Sequence, residues 1–196
     1  MGSGRGRPSQ GAREALLEAA RGLFLERDFD DVSTEEILER SGVSRGALYH
    51  HFPGKLDLFK AVWEASERRL IERLAAQVPV SDSPFQALAH LATAYLRAAE
   101  TDQELRRIGL VQSRAVLGWE GWREAAMGLG IGVTLAAVKA AIDSGELPGL
   151  DPETTAIVLL GAVIEAAMLV VVAEDPAAAR ERSEAAIVAM LEGLRL

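Results

Sequence analysis

Arg45, Gly46, Tyr49 and His50 fall within six positions of one another, and their types and spacing suit contact with a polyanion. Arg presents a planar fork of donors to a guanine edge or a phosphate, and Gly lets a backbone approach a partner closely. Tyr and His add planar groups whose donors reach a sugar-phosphate wall. On a helix, Leu48 and Phe52 lie four apart and point inward, which leaves Arg45, Gly46, Tyr49 and His50 on the outer side. The chemistry such a set can do is recognition of duplex DNA.

Two short elements must hold that face in place. Ser44 is placed to cap the helix that carries it. Upstream, Ser33 can cap another helix, Glu36 three residues on can close the reciprocal box, and Gly42 supplies the left-handed turn that ends it. Residues 33–56, STEEILERSGVSRGALYHHFPGKL, therefore read as a capped helix, a Gly turn and a second helix with an outward face for DNA.

From about residue 10 to residue 62 the chain resembles the tetracycline-repressor-like (TetR) transcriptional regulators. An amphipathic first helix ends in LFLERDFDDVST, GVSRGALYHHFPGK follows, and then an amphipathic fourth helix. The sequence departs from the family pattern at Leu38 and Ser41, where Ala is usual; a larger Leu at a close helix approach implies slightly shifted packing. The resemblance places Thr34, Ser44, Arg45, Gly46, Ala47, Tyr49, His50 and Lys55 on the DNA side. Arg45 would be the main base reader, and Thr34, Tyr49, His50 and Lys55 would clamp phosphates. Ala47 would meet a thymine methyl. Tyr49 has a second reading as an aromatic packed beside Leu48 and Phe52, and His51 reads better as the edge of that core.

The same resemblance implies an all-α fold of about nine helices. A flexible basic arm (1–10) would precede a helix-turn-helix DNA-binding domain (11–54). A larger C-terminal ligand-binding and dimerisation domain (55–196) would follow, with a helix over 55–77 connecting the two. It implies a sequence-specific regulator, a repressor released from a palindromic double-stranded operator by a small-molecule effector, and acting as a homodimer.

Length and charge are compatible with this. The 196 residues suffice for a small DNA-binding unit and a larger helical one. A net charge of -8 argues against a protein that coats nucleic acid indiscriminately. Residues 1–60 carry nine Lys or Arg against ten Asp or Glu, whereas the remainder carries twelve against nineteen. A small positive footprint under an acidic body favours specific sites. Cys is absent and only three His exist, so no metal or cofactor is expected. An enzyme is not expected either, since there is no thiol nucleophile, no G-x-S-x-G and no paired His and carboxylate motif. The start, MGSGRGRPSQ, has arginines without an apolar run behind them, unlike a signal or transit peptide, and a cytoplasmic location is expected. Arg5 and Arg7 could enter a minor groove on DNA; the plainer alternative is a disordered leader.

Further along, apolar periodicity predicts helices over about 11–27, 55–77, 84–100, 102–117 and 119–144, with Pro79 to Pro84 as a linker. Gly128, Gly130 and Gly132 do not complete a phosphate-binding pattern and imply a kink or close packing instead. Ala156 to Ala173 is almost wholly apolar. Glu165 in its middle and acidic flanks without basic anchors weigh against a membrane span. A helix apolar all round must then be buried on every side, which points to dimerisation through helices near 152–174 and 176–195. Tyr95, Gln112, Trp119, Trp122, Met127, Glu165 and Met168 have the aromatic and flexible apolar make-up of an effector pocket among the fifth to eighth helices. Trp119 and Trp122 can also be read as core caps, and Glu165 as a cross-dimer partner for an Arg.

Overall fold

The computed structural model describes residues 7–79, 83–147 and 149–195. Among them are eight α-helices and no strand: α1 (Arg7–Glu26), α2 (Thr34–Ser41), α3 (Arg45–His51), α4 (Lys55–Gln77), α5 (Pro84–Thr101), α6 (Ser113–Asp143), α7 (Pro152–Val172) and α8 (Pro176–Gly193). A 3-10 turn at Phe29–Asp31 follows α1, and a π-helical segment, Leu105–Gln112, runs into α6. The expected sixth and seventh helices are thus one helical run, broken at Gly118 by a left-handed φ of 68° with ψ of 170°. The break falls between the predicted end near Leu117 and the predicted restart near Trp119.

Local chemistry explains where the helices start. Ser83, Asp151 and Asp175 each precede a Pro, and each side chain accepts the N–H three residues on, from Gln86 (3.2 Å), Thr154 (2.8 Å) and Ala178 (3.0 Å). A capping oxygen satisfies an otherwise orphaned donor, and Pro in the first turn has no N–H to leave unpaired. By the same logic α1 tolerates Pro8 and begins at Arg7 rather than Gly11. The expected flexible arm is therefore shorter than ten residues, since its last four are helical; Arg5 lies outside the described residues. So do residues 80–82 of the expected linker.

The chain divides into two compact units. The first comprises Met1–Ser66 and Arg107–Trp122. Its core contains Leu16, Ala20, Leu23 and Phe24 of α1 and Leu58, Phe59 and Val62 of α4, all buried. Phe24, Phe29 and Phe59 stack edge and face with centroids 5.1–5.9 Å apart, so Phe29 anchors its loop as expected. The boundary expected after Gly54 is not where the packing divides. The first half of α4 belongs to this core, and so does the π-helical segment, where Ile108 and Leu110 are buried and Gly109 O accepts a hydrogen bond from the Trp63 indole (3.2 Å).

The second unit comprises Glu67–Arg106 and Arg123–Leu196. Here α5, α7 and α8 pack on one another. From α7 come Ala156, Leu159, Val163, Ile164, Ala167 and Val170, and from α8 Ala179, Ser183, Ile187 and Leu191, one buried residue per turn. No kink occurs at Gly128 to Gly132; instead a Cβ at Gly130 would come within 3.1 Å of the Leu160 methyls, which is the close-packing alternative. Two helices, Leu105–Asp143 and Pro152–Val172, have the length and apolarity of a membrane span. The first is broken at Gly118, and the second buries one face against α5 and α8, as a core helix does.

Candidate nucleic-acid interface

The two-helix element forms as the sequence predicts. Ser33 Oγ accepts from Glu36 N (3.2 Å) while Ser33 N donates to Glu36 Oε2 (2.8 Å), closing the capping box. These bonds, with the Arg27 guanidinium behind them, hold the Glu36 carboxyl down at about 2. Gly42 ends α2 at φ 66°, where a side chain would be strained, and its N–H returns to Leu38 O (3.0 Å). The unusual Ser41 fits this turn: its hydroxyl donates to Leu38 O (3.2 Å) and accepts from Val43 N (3.3 Å). Arg27 pairs with Glu36 and Arg40 with Glu26, each at 2.7 Å, tying α1 to the loop and to α2.

Ser44 caps α3 by accepting from Ala47 N (3.3 Å). Leu48 and Phe52 face the core, and Ser44, Arg45, Gly46, Tyr49 and His50 are exposed, with Ala47 and Thr34 half-buried. At 49% exposed, Tyr49 is an outward aromatic, which decides between its two readings. His51 is half-buried with its ring near Phe52, the core-edge position expected. Gly46 is informative because a Cβ there would meet nothing within 4 Å. Internal packing does not require this glycine, and in a helix it costs about 1 kcal/mol relative to Ala.

Two basic residues are held differently from the expectation. Lys55 Nζ donates to Phe29 O (2.7 Å) and Val32 O (2.8 Å) and sits 4.1 Å from the centre of the Phe29 ring. Two of its three donors are therefore committed to the loop before α2, which leaves one for a phosphate. Arg45 Nη2 donates to Glu35 Oε1 across 2.5 Å, linking the first turns of α3 and α2. Its own backbone N–H first, and then Arg45, keep the Glu35 carboxyl below the usual carboxylate range. Both side chains remain well exposed, at 59% and 61%, so the pair stands at the surface where a duplex would meet it.

The residues expected to form one effector pocket are divided between the two units. Gln112, Trp119 and Trp122 belong to the first unit. Gln112 is buried, and its amide donates to Phe24 O (2.8 Å) and Arg27 O (3.5 Å), satisfying carbonyls at the end of α1. Trp122 is buried under the Arg114 guanidinium (4.3 Å), the core-cap reading, whereas Trp119 is 64% exposed. Glu165 is exposed on the outer face of α7, so the expectation that it lies in a cavity within the chain is not met. Tyr95, Met127 and Met168 are half-buried in the second unit. That unit has a cleft of about 570 Å³ between the end of α4 and α5, lined by Arg73, Leu74, Val78, His90, Arg97 and Asp102 among others. Nearby, Arg69 pairs with Glu104 (2.7 Å) and Arg73 with Asp102. Burial first, then the charges of Asp102 and Glu104, push the half-buried Glu67 carboxyl up to about 7.

This arrangement recurs in known proteins. A family model described as bacterial regulatory proteins, tetR family, matches residues 16–62. A second, described as tetracyclin repressor-like, C-terminal domain, matches residues 85–194. The chain is similar to a solved TetR-family transcriptional regulator from Pectobacterium atrosepticum, at 30% identity over 98% of both chains with a TM-score of 0.84. It shares its fold with RolR, solved in complex with resorcinol, at 21% identity over 95% of this chain and 90% of that one, TM-score 0.75. The HTH-type transcriptional regulator AcrR of Shigella flexneri is 33% identical over 99 residues, 50% of this chain and 46% of that protein. The chain spans less than half the length of the curated relatives it matches.

Proposed function

The chain belongs to the TetR family of bacterial regulatory proteins, DNA-binding transcriptional regulators, and from that premise we propose that it represses transcription as a homodimer which a small-molecule effector releases from a palindromic operator. The observation that carries the DNA contact is the outward face of α3. Arg45, Tyr49 and His50 stand exposed around Gly46, where a Cβ would meet nothing within the chain. Arg45 reads a base edge, Thr34, Ser44, Tyr49 and His50 hold phosphates, and Ala47 touches a thymine methyl. The site of action is chromosomal DNA in the cytoplasm.

Dimerisation is supported by the outer face of α7. Ile157, Val158, Leu169 and Val172 are exposed there, with Val188 on α8, an apolar surface of the kind a monomer rarely presents. A second copy, related by a two-fold axis, would cover it with the same surface and complete a four-helix bundle. Effector control is supported by the cleft in the second unit and by the fold shared with RolR, which was solved with resorcinol. The test is gel retardation of the DNA upstream of the encoding gene, with and without a metabolite panel, at fixed moderate salt. Retardation that a competitor duplex of random sequence removes as easily as the upstream DNA itself would reject sequence-specific control.

A further inference from the structure

The first turn of α2 holds two acidic residues, and they engage different partners. Glu36 closes the capping box and pairs with Arg27. Glu35 does neither; its carboxylate reaches across the turn and accepts from Arg45 Nη2. Meanwhile Arg45 opens α3, whose first turn contains no acid. A cation at a helix N-terminus is repelled by the helix dipole, so that position is unfavourable for α3 alone. An unrestrained Arg side chain also carries rotamer entropy that must be lost on meeting a base.

From this geometry we infer that Glu35 is a positioning and specificity-determining residue for the DNA contact made by Arg45; the inference rests on the reading of α3 as the DNA-facing helix. With one guanidinium edge engaged by Glu35, the remaining donors keep a free edge for the O6 and N7 acceptors of guanine. The carboxylate has a second effect. A phosphate has no sequence information to offer and would be the default partner of a free Arg; beside Glu35 the local charge of the pair is close to zero, and a phosphate is also repelled by the carboxylate. A guanine edge, being neutral, is not penalised in this way. Glu35 therefore lowers affinity for DNA in general and preserves it for duplexes with guanine at the Arg45 position.

The experiment compares four full-length proteins, wild type, Glu35→Gln, Arg45→Ala and the double variant. The probes are the duplex that wild type enriches from a random library and a scrambled duplex of equal length, each titrated across a salt series. Glu35→Gln removes the charge and keeps the size. It is expected to tighten binding to the scrambled duplex about three- to tenfold, to steepen its salt dependence by about one ion per protomer, and to reduce the specific-to-scrambled ratio. In the Arg45→Ala background the same substitution should leave that ratio unchanged. An unchanged ratio in the single variant overturns the inference, and so does an equal change in both backgrounds, which would mean that Glu35 acts through general charge. Absence of any enriched duplex with wild type would instead reject the DNA-binding reading, and the inference with it.

Discussion

Arg45 and Lys55 were both expected to touch DNA, Arg45 as a base reader and Lys55 as a phosphate clamp, and the fold holds them differently. Arg45→Ala is predicted to cost about 1–3 kcal/mol of specific binding and to relax preference at one position per half-site, measurable by competition with single-base variants of the bound duplex. Lys55→Met should instead act on folding. It removes the ammonium donor from Val32 O and leaves Phe29 O with the Val32 N–H alone, and urea denaturation is expected to show a loss of about 1–3 kcal/mol, with little change in the salt dependence of binding by the folded protein. The caps at Ser33 and Ser44 were legible because capping is a relation between residues three apart. The role of Lys55 was not, because its acceptors lie more than twenty residues upstream. Glu67 escaped notice for a similar reason, since its acidic neighbours Asp102 and Glu104 come from beyond α5. Its carboxyl stays protonated in the folded chain up to about 7, whereas the unfolded chain loses the proton near its ordinary value of 4.5. Stability should therefore fall as pH rises through that window, by up to about 3 kcal/mol, and Glu67→Gln should flatten the slope in denaturation followed from pH 4.5 to 8.

Among the elements, those with a local signal were read correctly and those defined by long-range packing were not. The expected ninefold helix count reflects the Gly118 break, which a left-handed glycine makes without ending the helical run. The π-helical form of Leu105–Gln112 has no comparable signature in its residues. Its anchoring is distributed: Arg107 donates to Phe24 O (3.3 Å) and to Asp28 Oδ1 (2.9 Å) within the first unit, while Arg106 donates to Ala99 O (3.2 Å) and Glu100 O (3.1 Å) within the second. Adjacent residues thus serve different units, so Gln112, Trp119 and Trp122 fell on the other side of a boundary that apolar periodicity does not mark. The apolar run of α7 was legible, but the side it leaves uncovered was not. Because Leu169 is exposed in the single chain, Leu169→Asp should leave the protomer folded by circular dichroism and shift sedimentation from dimer to monomer. A variant that remains dimeric would place the interface on another surface.

At the scale of the whole molecule, the proposed repression by a dimer requires that two copies of α3 reach two half-sites about one helical turn apart. The chain passes between its units three times, after Ser66 in α4, before Arg107 in the π-helical segment and after Trp122 in α6, so an effector that favours one state of the second unit has three covalent routes by which to bias the first. A coupling of about 1–3 kcal/mol is enough to release a promoter. The central claim, that paired α3 helices read DNA through Arg45, is tested most directly by sequencing the duplexes selected from a random library by the wild-type and Arg45→Ala proteins. The account predicts a two-fold symmetric motif with wild type and the loss of preference at one symmetry-related position in each half with the variant. A motif without symmetry, or one that Arg45→Ala leaves unchanged, would contradict it.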